Sequence, residues 1–155
     1  MVGGVIMAIL FGVNEKMFKD KIRRDLLHHP SIDRVEPARK AGFLSQEADK
    51  NWRYYQRFHF HSTGIGTMSL AVLLLLAFVQ GPEKHKIAAS YLVSIGGLLY
   101  PYFWLFAALF GPTMGRPQAK ASFAVFSWMG GVFLLGLLFS GYLLVRSPRL
   151  PGKPA

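Results

Sequence analysis

Three long runs without Asp, Glu, Lys or Arg dominate the second half of the chain. They cover residues 58–82, 87–115 and 121–145, and Glu83 is the only acidic residue between Arg57 and the C-terminus. A helix rises about 1.5 Å per residue, so each run is long enough to cross a hydrocarbon core of about 30 Å. The pattern predicts an all-α integral membrane protein with spans at 58–80, 87–111 and 121–145.

The first 18 residues predict a further span. Residues 1–13 are apolar, but a helix of that length rises only about 20 Å. A helix that continues to Phe18, with Lys16 at the interface, is long enough to cross, whereas a shorter one dips into the membrane without crossing. We expect the span at residues 1–18. Together the four predict a compact bundle of about four transmembrane helices in a single membrane domain, residues 1–155.

The segment between the first two spans, residues 19–57, is predicted to lie outside the membrane. An apolar repeat enters this segment from Phe18, the last residue of the predicted first span, and continues with Ile22 and Leu26; basic residues lie between them. This spacing is typical of a short amphipathic helix that lies at the headgroup level, and Pro30 ends it. A loop follows, and from about Ser45 a helical pattern leads into the span at 58–80.

Basic residues predict the orientation of the spans. Residues 14–57 and 112–120 together hold 13 Lys and Arg, against 5 in the loop 81–86 and the tail 146–155. Cytoplasmic loops carry the excess of Lys and Arg in membrane proteins. The count therefore predicts that residues 14–57 and 112–120 lie in the cytoplasm and the C-terminus on the opposite side. That side is the periplasm, since we expect a multi-pass protein of a bacterial-type inner membrane.

Composition supports the membrane class and removes several chemistries. Apolar residues make up 52% of the chain, and there is no cysteine, which excludes disulfides, thiolate metal sites and cysteine nucleophiles. The net charge of +10 lies beside the predicted spans. Cations there set topology and contact anionic lipid headgroups, so nucleic acid is not an expected partner. No Asp, Glu, Lys or Arg lies within the predicted spans 58–80, 87–111 and 121–145, which disfavours a channel or transporter.

Small residues recur at four-residue spacing within the predicted spans. The pairs are Ser62 and Gly66, Ser90 and Ser94, Ser127 and Gly131, and Gly136 and Ser140. Small side chains let helix backbones approach closely, so these faces are predicted helix contacts. Pro101 leaves the carbonyl of Gly97 without its helical donor and predicts a kink in the span at 87–111.

His59 and His61, at the start of the span 58–80, are the leading candidates for cofactor binding. Neutral imidazole is a common axial ligand of b-type haem and also binds copper and similar metals. Residues two apart on a helix point about 200° apart, so a single iron cannot take both. We expect the pair to contact headgroups or backbone carbonyls. Haem b or quinone binding is the alternative, and no metal site is predicted.

Tyr100 and Trp104 flank Pro101 in the middle of the span 87–111. Their polar groups need hydrogen-bond partners at membrane depth, because no water is available there. We expect these partners across the bundle. The alternative is that both side chains line a pocket for a quinone, a lipid or a pigment.

These patterns predict an accessory, non-catalytic integral subunit of an inner-membrane complex, respiratory or of another electron-transfer type. Its partners would be other membrane protein subunits and anionic lipid headgroups. Enzymatic activity of its own is not expected, because no catalytic residues are predicted. One alternative is a redox subunit that contributes a haem or quinone site through His59 or His61. A small channel or transporter is the other.

Overall fold

A computed structural model describes residues 2–146 and contains five helices over that range. They are α1 (Val2–Leu27), α2 (Pro37–Phe78), α3 (Glu83–Met114), α4 (Arg116–Ser122) and α5 (Ala124–Arg146). No strand occurs in this range, so the predicted all-α class is confirmed. The predicted tail, residues 146–155, lies outside the described residues except for Arg146.

Among the described residues, α2, α3 and α5 are long and apolar enough to cross a membrane. These helices indicate a multi-pass membrane protein, as the uncharged runs predict. Helix α2 begins at Pro37, eight residues before the predicted start at Ser45, because proline is favoured in the first turn of a helix. Helix α3 continues as one helix through Pro101, where the sequence predicts a kink, and through Pro112.

The long helices pack as successive neighbours, with α3 in contact with α2 on one side and α5 on the other. Two adjacent glycines of α3 lie at these crossings. A Cβ added to Gly96 would lie 2.8 Å from the Cα of Phe133 in α5, and one added to Gly97 would lie 2.7 Å from Ser69 Oγ in α2. Glycine at both positions therefore lets two helices approach α3 closely.

Asn14 divides α1 into an apolar part and a charged part. Its backbone is not helical (φ −154°, ψ 60°), and its Oδ1 accepts a hydrogen bond from the Met17 amide at 3.0 Å. This is the geometry of an N-cap, so a new helix starts after Asn14. The straight helix on which a full crossing by residues 1–18 depends is interrupted at this residue.

Helix α1 runs antiparallel to α2 from its first residues onward. Gly4 is level with Ser62, since a Cβ on the glycine would lie 2.9 Å from Ser62 Cβ, and the Phe11 ring lies 4.8 Å from that of Trp52. Residues 63–78 of α2 rise about 24 Å beyond this level. The described part of α1 therefore ends well before the far end of α2, and the first span stays a prediction.

The predicted amphipathic repeat lies on the second part of α1. Ile22 and Leu26 are buried, at 1% and 5% exposure, in a cluster with Ala48 and Trp52 of α2, and Phe18 packs on this cluster. The apolar face of this segment thus packs against another helix of the same protein.

Candidate functional site

Three of the four predicted cofactor residues meet where α2 and α3 cross. The His61 ring lies 5.2 Å from the Tyr100 ring and 6.0 Å from the Trp104 ring, and it is nearly parallel to Trp104 at 12°. Trp104 Nε1 donates to the Tyr100 hydroxyl at 3.4 Å. These contacts build one aromatic cluster from residues far apart in sequence.

His59 points away from this cluster and contacts α1. Its Nδ1 lies 2.8 Å from the carbonyl oxygen of Gly4. A carbonyl only accepts hydrogen bonds, so Nδ1 carries the proton, and in the neutral ring the lone pair remains on Nε2. His59 and His61 therefore contact different helices, as their separation on α2 requires.

Two cations share one pair of aromatic rings beside His61. The Tyr54 and Trp104 rings lie 5.6 Å apart. Arg57 Cζ is 4.6 Å from the Trp104 centroid and 5.8 Å from that of Tyr54, and Lys120 Nζ is 5.9 Å and 5.1 Å from the same centroids. All four distances are in the range of cation–π attraction. We call these four residues the cationic platform.

The sequence alone does not predict the cationic platform as a unit. Arg57 and Lys120 belong to the basic segments 14–57 and 112–120, whose charges predict orientation. Tyr54 and Lys120 belong to different helices, and no spacing rule relates residues so far apart. The one readable signal is that both cations immediately precede an uncharged run.

An ion-pair network links α2 to α4 next to the platform. Arg116 Nε donates to Glu47 Oε2 at 2.9 Å and Arg116 Nη2 to Oε1 at 3.2 Å, while Lys50 Nζ donates to Oε1 at 2.9 Å. Burial raises the pKa of Glu47, but hydrogen bonds from Lys50 and Arg116 and their charges outweigh it, so the pKa lies below its ordinary value. The network joins two segments that the sequence predicts to lie on the same side of the membrane.

Asn51 fills the space between this network and α3. It is fully buried, and its Nδ2 donates to the Glu47 carbonyl at 2.8 Å. A Cβ on Gly111 would lie 2.6 Å from Asn51 Oδ1, which has no hydrogen-bond partner among residues 2–146. Glycine at position 111 is therefore needed for α3 to pass this side chain.

A groove of about 480 Å³ opens between α2 and α3 at the opposite end of the bundle. Its lining includes Glu83 and Lys86, which form an ion pair at 2.8 Å, and the predicted small-residue pair Ser90 and Ser94. No group of three or more potential metal ligands occurs within the described part of the chain.

The two small-residue pairs of α5 have different surroundings. A Cβ on Gly136 would lie 2.7 Å from the Val93 amide nitrogen of α3, and Ser140 is buried and donates to the Gly136 carbonyl at 2.7 Å. A Cβ on Gly131 would meet no described atom within 4 Å, and Ser127 is exposed. The surrounding face, here called the outer α5 face, consists of Ser127, Trp128, Gly131, Leu135 and Leu138, all exposed.

No protein-family model matches the chain, and comparison with curated proteins and with solved structures also finds no match. The class is therefore defined by the fold: an all-α, multi-pass membrane protein.

Proposed function

We propose that the chain is an accessory, non-catalytic integral subunit of a bacterial-type inner-membrane complex, and that its outer α5 face binds a neighbouring subunit. The observation that carries the proposal is the exposed pair Ser127 and Gly131. Within the described bundle, Gly136 and Ser140, the other such pair on α5, lie at a helix crossing. The exposed pair has the same spacing, and no helix of residues 2–146 packs against Gly131.

The physics of helix association in lipid supports this role. Lipid tails are as apolar as leucine, so helices associate through close packing of their backbones rather than through the hydrophobic effect. A face that meets only lipid is served equally well by large apolar side chains. Trp128 and Leu135, at 76% and 61% exposure, lie about one turn before and one turn after Gly131. A Cβ at Gly131 meets no described atom within 4 Å, so a second helix can approach the backbone there.

The Gly131→Leu substitution tests the proposal in the native complex. Leucine would fill the space that glycine leaves for a second helix, so the complex isolated in mild detergent should lose its partner subunit. Gly64→Leu is the matched control, because Gly64 is also exposed and a Cβ there meets no described atom within 4 Å. Native electrophoresis of both variants reads the result. Loss of the complex in both variants, or in neither, would contradict the assignment to this face.

The alternative of a redox subunit has support at His59. A histidine that donates from Nδ1 to a carbonyl and keeps its Nε2 lone pair has the arrangement usual for a ligating imidazole. A haem held this way would take its second axial ligand from another chain or remain five-coordinate. In the purified complex, His59→Ala should then abolish a Soret band that His61→Ala leaves in place. An absorption spectrum without haem in the wild-type complex would reject the haem form of this alternative.

A further inference from the structure

Arg57 and Lys120 are two like charges held over the same two rings. Both charged groups lie within 6 Å of the centroids of Tyr54 and Trp104. Neither cation has an acidic group within 4 Å in the range 2–146. Like charges brought together without an anion repel each other, so this arrangement favours a bound negative group.

In the neighbouring ion-pair network, by contrast, the positive charges are paired with a carboxylate. Arg116, four residues before Lys120 on α4, forms a two-point ion pair with Glu47, and Lys50 bonds the same carboxylate. Residues 2–146 thus supply an anion for Arg116 and Lys50 but none within 4 Å of either cation of the cationic platform. The positive charge at the platform is available to a ligand.

The rings of the platform are fixed by their own contacts. Tyr54 is only 4% exposed, and Trp104 is stacked on His61 and donates to the Tyr100 hydroxyl. Rings packed in this way contact both cations and lower the entropy lost when the cations bind an anion.

The position along the chain identifies the kind of anion. Arg57 directly precedes the uncharged run 58–82, and Lys120 directly precedes the run 121–145. Both cations therefore lie where the apolar part of a helix begins, which is the level of lipid headgroups. We propose that the cationic platform binds the phosphate of an anionic phospholipid, with Arg57 and Lys120 contacting the phosphate oxygens. This goes beyond the subunit role, because it needs no partner protein.

Lipid titration of the purified full-length chain tests the site. In neutral detergent, the chain is titrated with short-chain phosphatidylglycerol or phosphatidylcholine, and bound lipid is counted by native mass spectrometry. The wild-type protein should prefer phosphatidylglycerol. The double variant Arg57→Gln/Lys120→Gln should weaken that binding about 30-fold, at about 1 kcal/mol for each cation near the headgroups.

A second double variant controls for net charge. Arg39→Gln/Lys84→Gln also removes two positive charges. Both residues are exposed, Arg39 lies 18 residues before Arg57 on α2 and Lys84 lies 20 residues before Trp104 on α3, and neither makes a cation–π contact with the platform. Its phosphatidylglycerol affinity should stay within about threefold of the wild type, since exposed distant charges are screened. Equal losses in both double variants would overturn the site and leave only a general surface potential.

Two measurements on the wild-type protein alone also test the proposal. The test therefore remains valid even if a double variant does not fold. Equal binding of phosphatidylglycerol and phosphatidylcholine would overturn the proposal. A titration with inorganic phosphate distinguishes a site for a lipid headgroup from a site for free phosphate. Phosphate binding as tight as that of phosphatidylglycerol would show a site for free phosphate and would overturn the lipid assignment.

Discussion

The inner and outer faces of α5 carry the same sequence pattern in opposite surroundings. On the inner face, Gly136 meets the backbone of Val93, and on the α3 side Gly96 meets the backbone of Phe133. Each helix thus places a glycine where the other backbone passes. On the outer face, Gly131 has open space around it among the described residues. The comparison teaches that small-residue spacing marks a surface for close approach, while the fold decides whether the partner belongs to the same chain.

The largest effect should come from Gly136→Leu. The added side chain would meet the α3 backbone, which cannot rotate away, so α3 and α5 must separate. We expect a loss of at least about 3 kcal/mol in the free energy of unfolding, at the upper end for overpacked sites. Unfolding of the purified chain in mixed micelles measures it. Leu135→Ala, on the exposed face, is the control. An equal effect of both changes would remove the distinction between the faces.

An intermediate effect should come from Glu47→Gln, which tests a contact outside the apolar part of the bundle. The change removes the charge that binds Arg116 and Lys50, so we expect a loss of about 1.5 kcal/mol near pH 7. Asp49→Asn is the control, since Asp49 is exposed and has no ion pair among residues 2–146. Melting temperatures at pH 7 report the difference.

The pH dependence of the stability difference between the wild type and Glu47→Gln tests whether the charge of Glu47 is its cause. The pKa of Glu47 is lower in the folded protein than in the unfolded chain. The ionised Glu47 carboxylate therefore contributes fully to the free energy of unfolding above the ordinary carboxyl pKa of about 4.3. This contribution is lost as the pH falls through the pKa that Glu47 has in the folded protein. The difference in melting temperature between the wild type and Glu47→Gln should therefore disappear at acid pH. A difference that stays constant down to pH 3 would show that packing, not charge, stabilises this contact.

The smallest effect should come from Gly131→Leu in the isolated chain. Because no described atom lies within 4 Å of the added Cβ, the free energy of unfolding should change by less than about 0.5 kcal/mol. The same unfolding assay in mixed micelles measures it. A large destabilisation would mean that the outer α5 face is already used within this chain, and the subunit proposal would lose its main support.

The long helices were predictable because lipid imposes a minimum apolar length. The uncharged runs locate α2, α3 and α5 for this reason. The sequence pattern predicts the start of α2 too late, at about Ser45, because mixed charges surround Pro37 and are typical of a loop, although proline is common in a first helical turn. The break at Asn14 was also missed, although asparagine is a strong N-cap residue.

The site was predictable only in part. His61, Tyr100 and Trp104 were each named from their positions in the spans, but their contact depends on how α2 and α3 are aligned. Periodicity shows which face of a helix is apolar and does not show which residue of another helix lies opposite. For the same reason, the sequence did not reveal that Lys120 shares its rings with Arg57.

Cross-linking in native membranes tests the central claim most directly. A photoreactive residue in place of Leu135 on the outer α5 face is compared with one in place of Leu74, which is 57% exposed on α2. We expect position 135 to give one protein product of defined mass that a second change, Gly131→Leu, abolishes, and position 74 to give lipid products. Lipid products alone from both positions would contradict the assignment of α5 as a subunit contact.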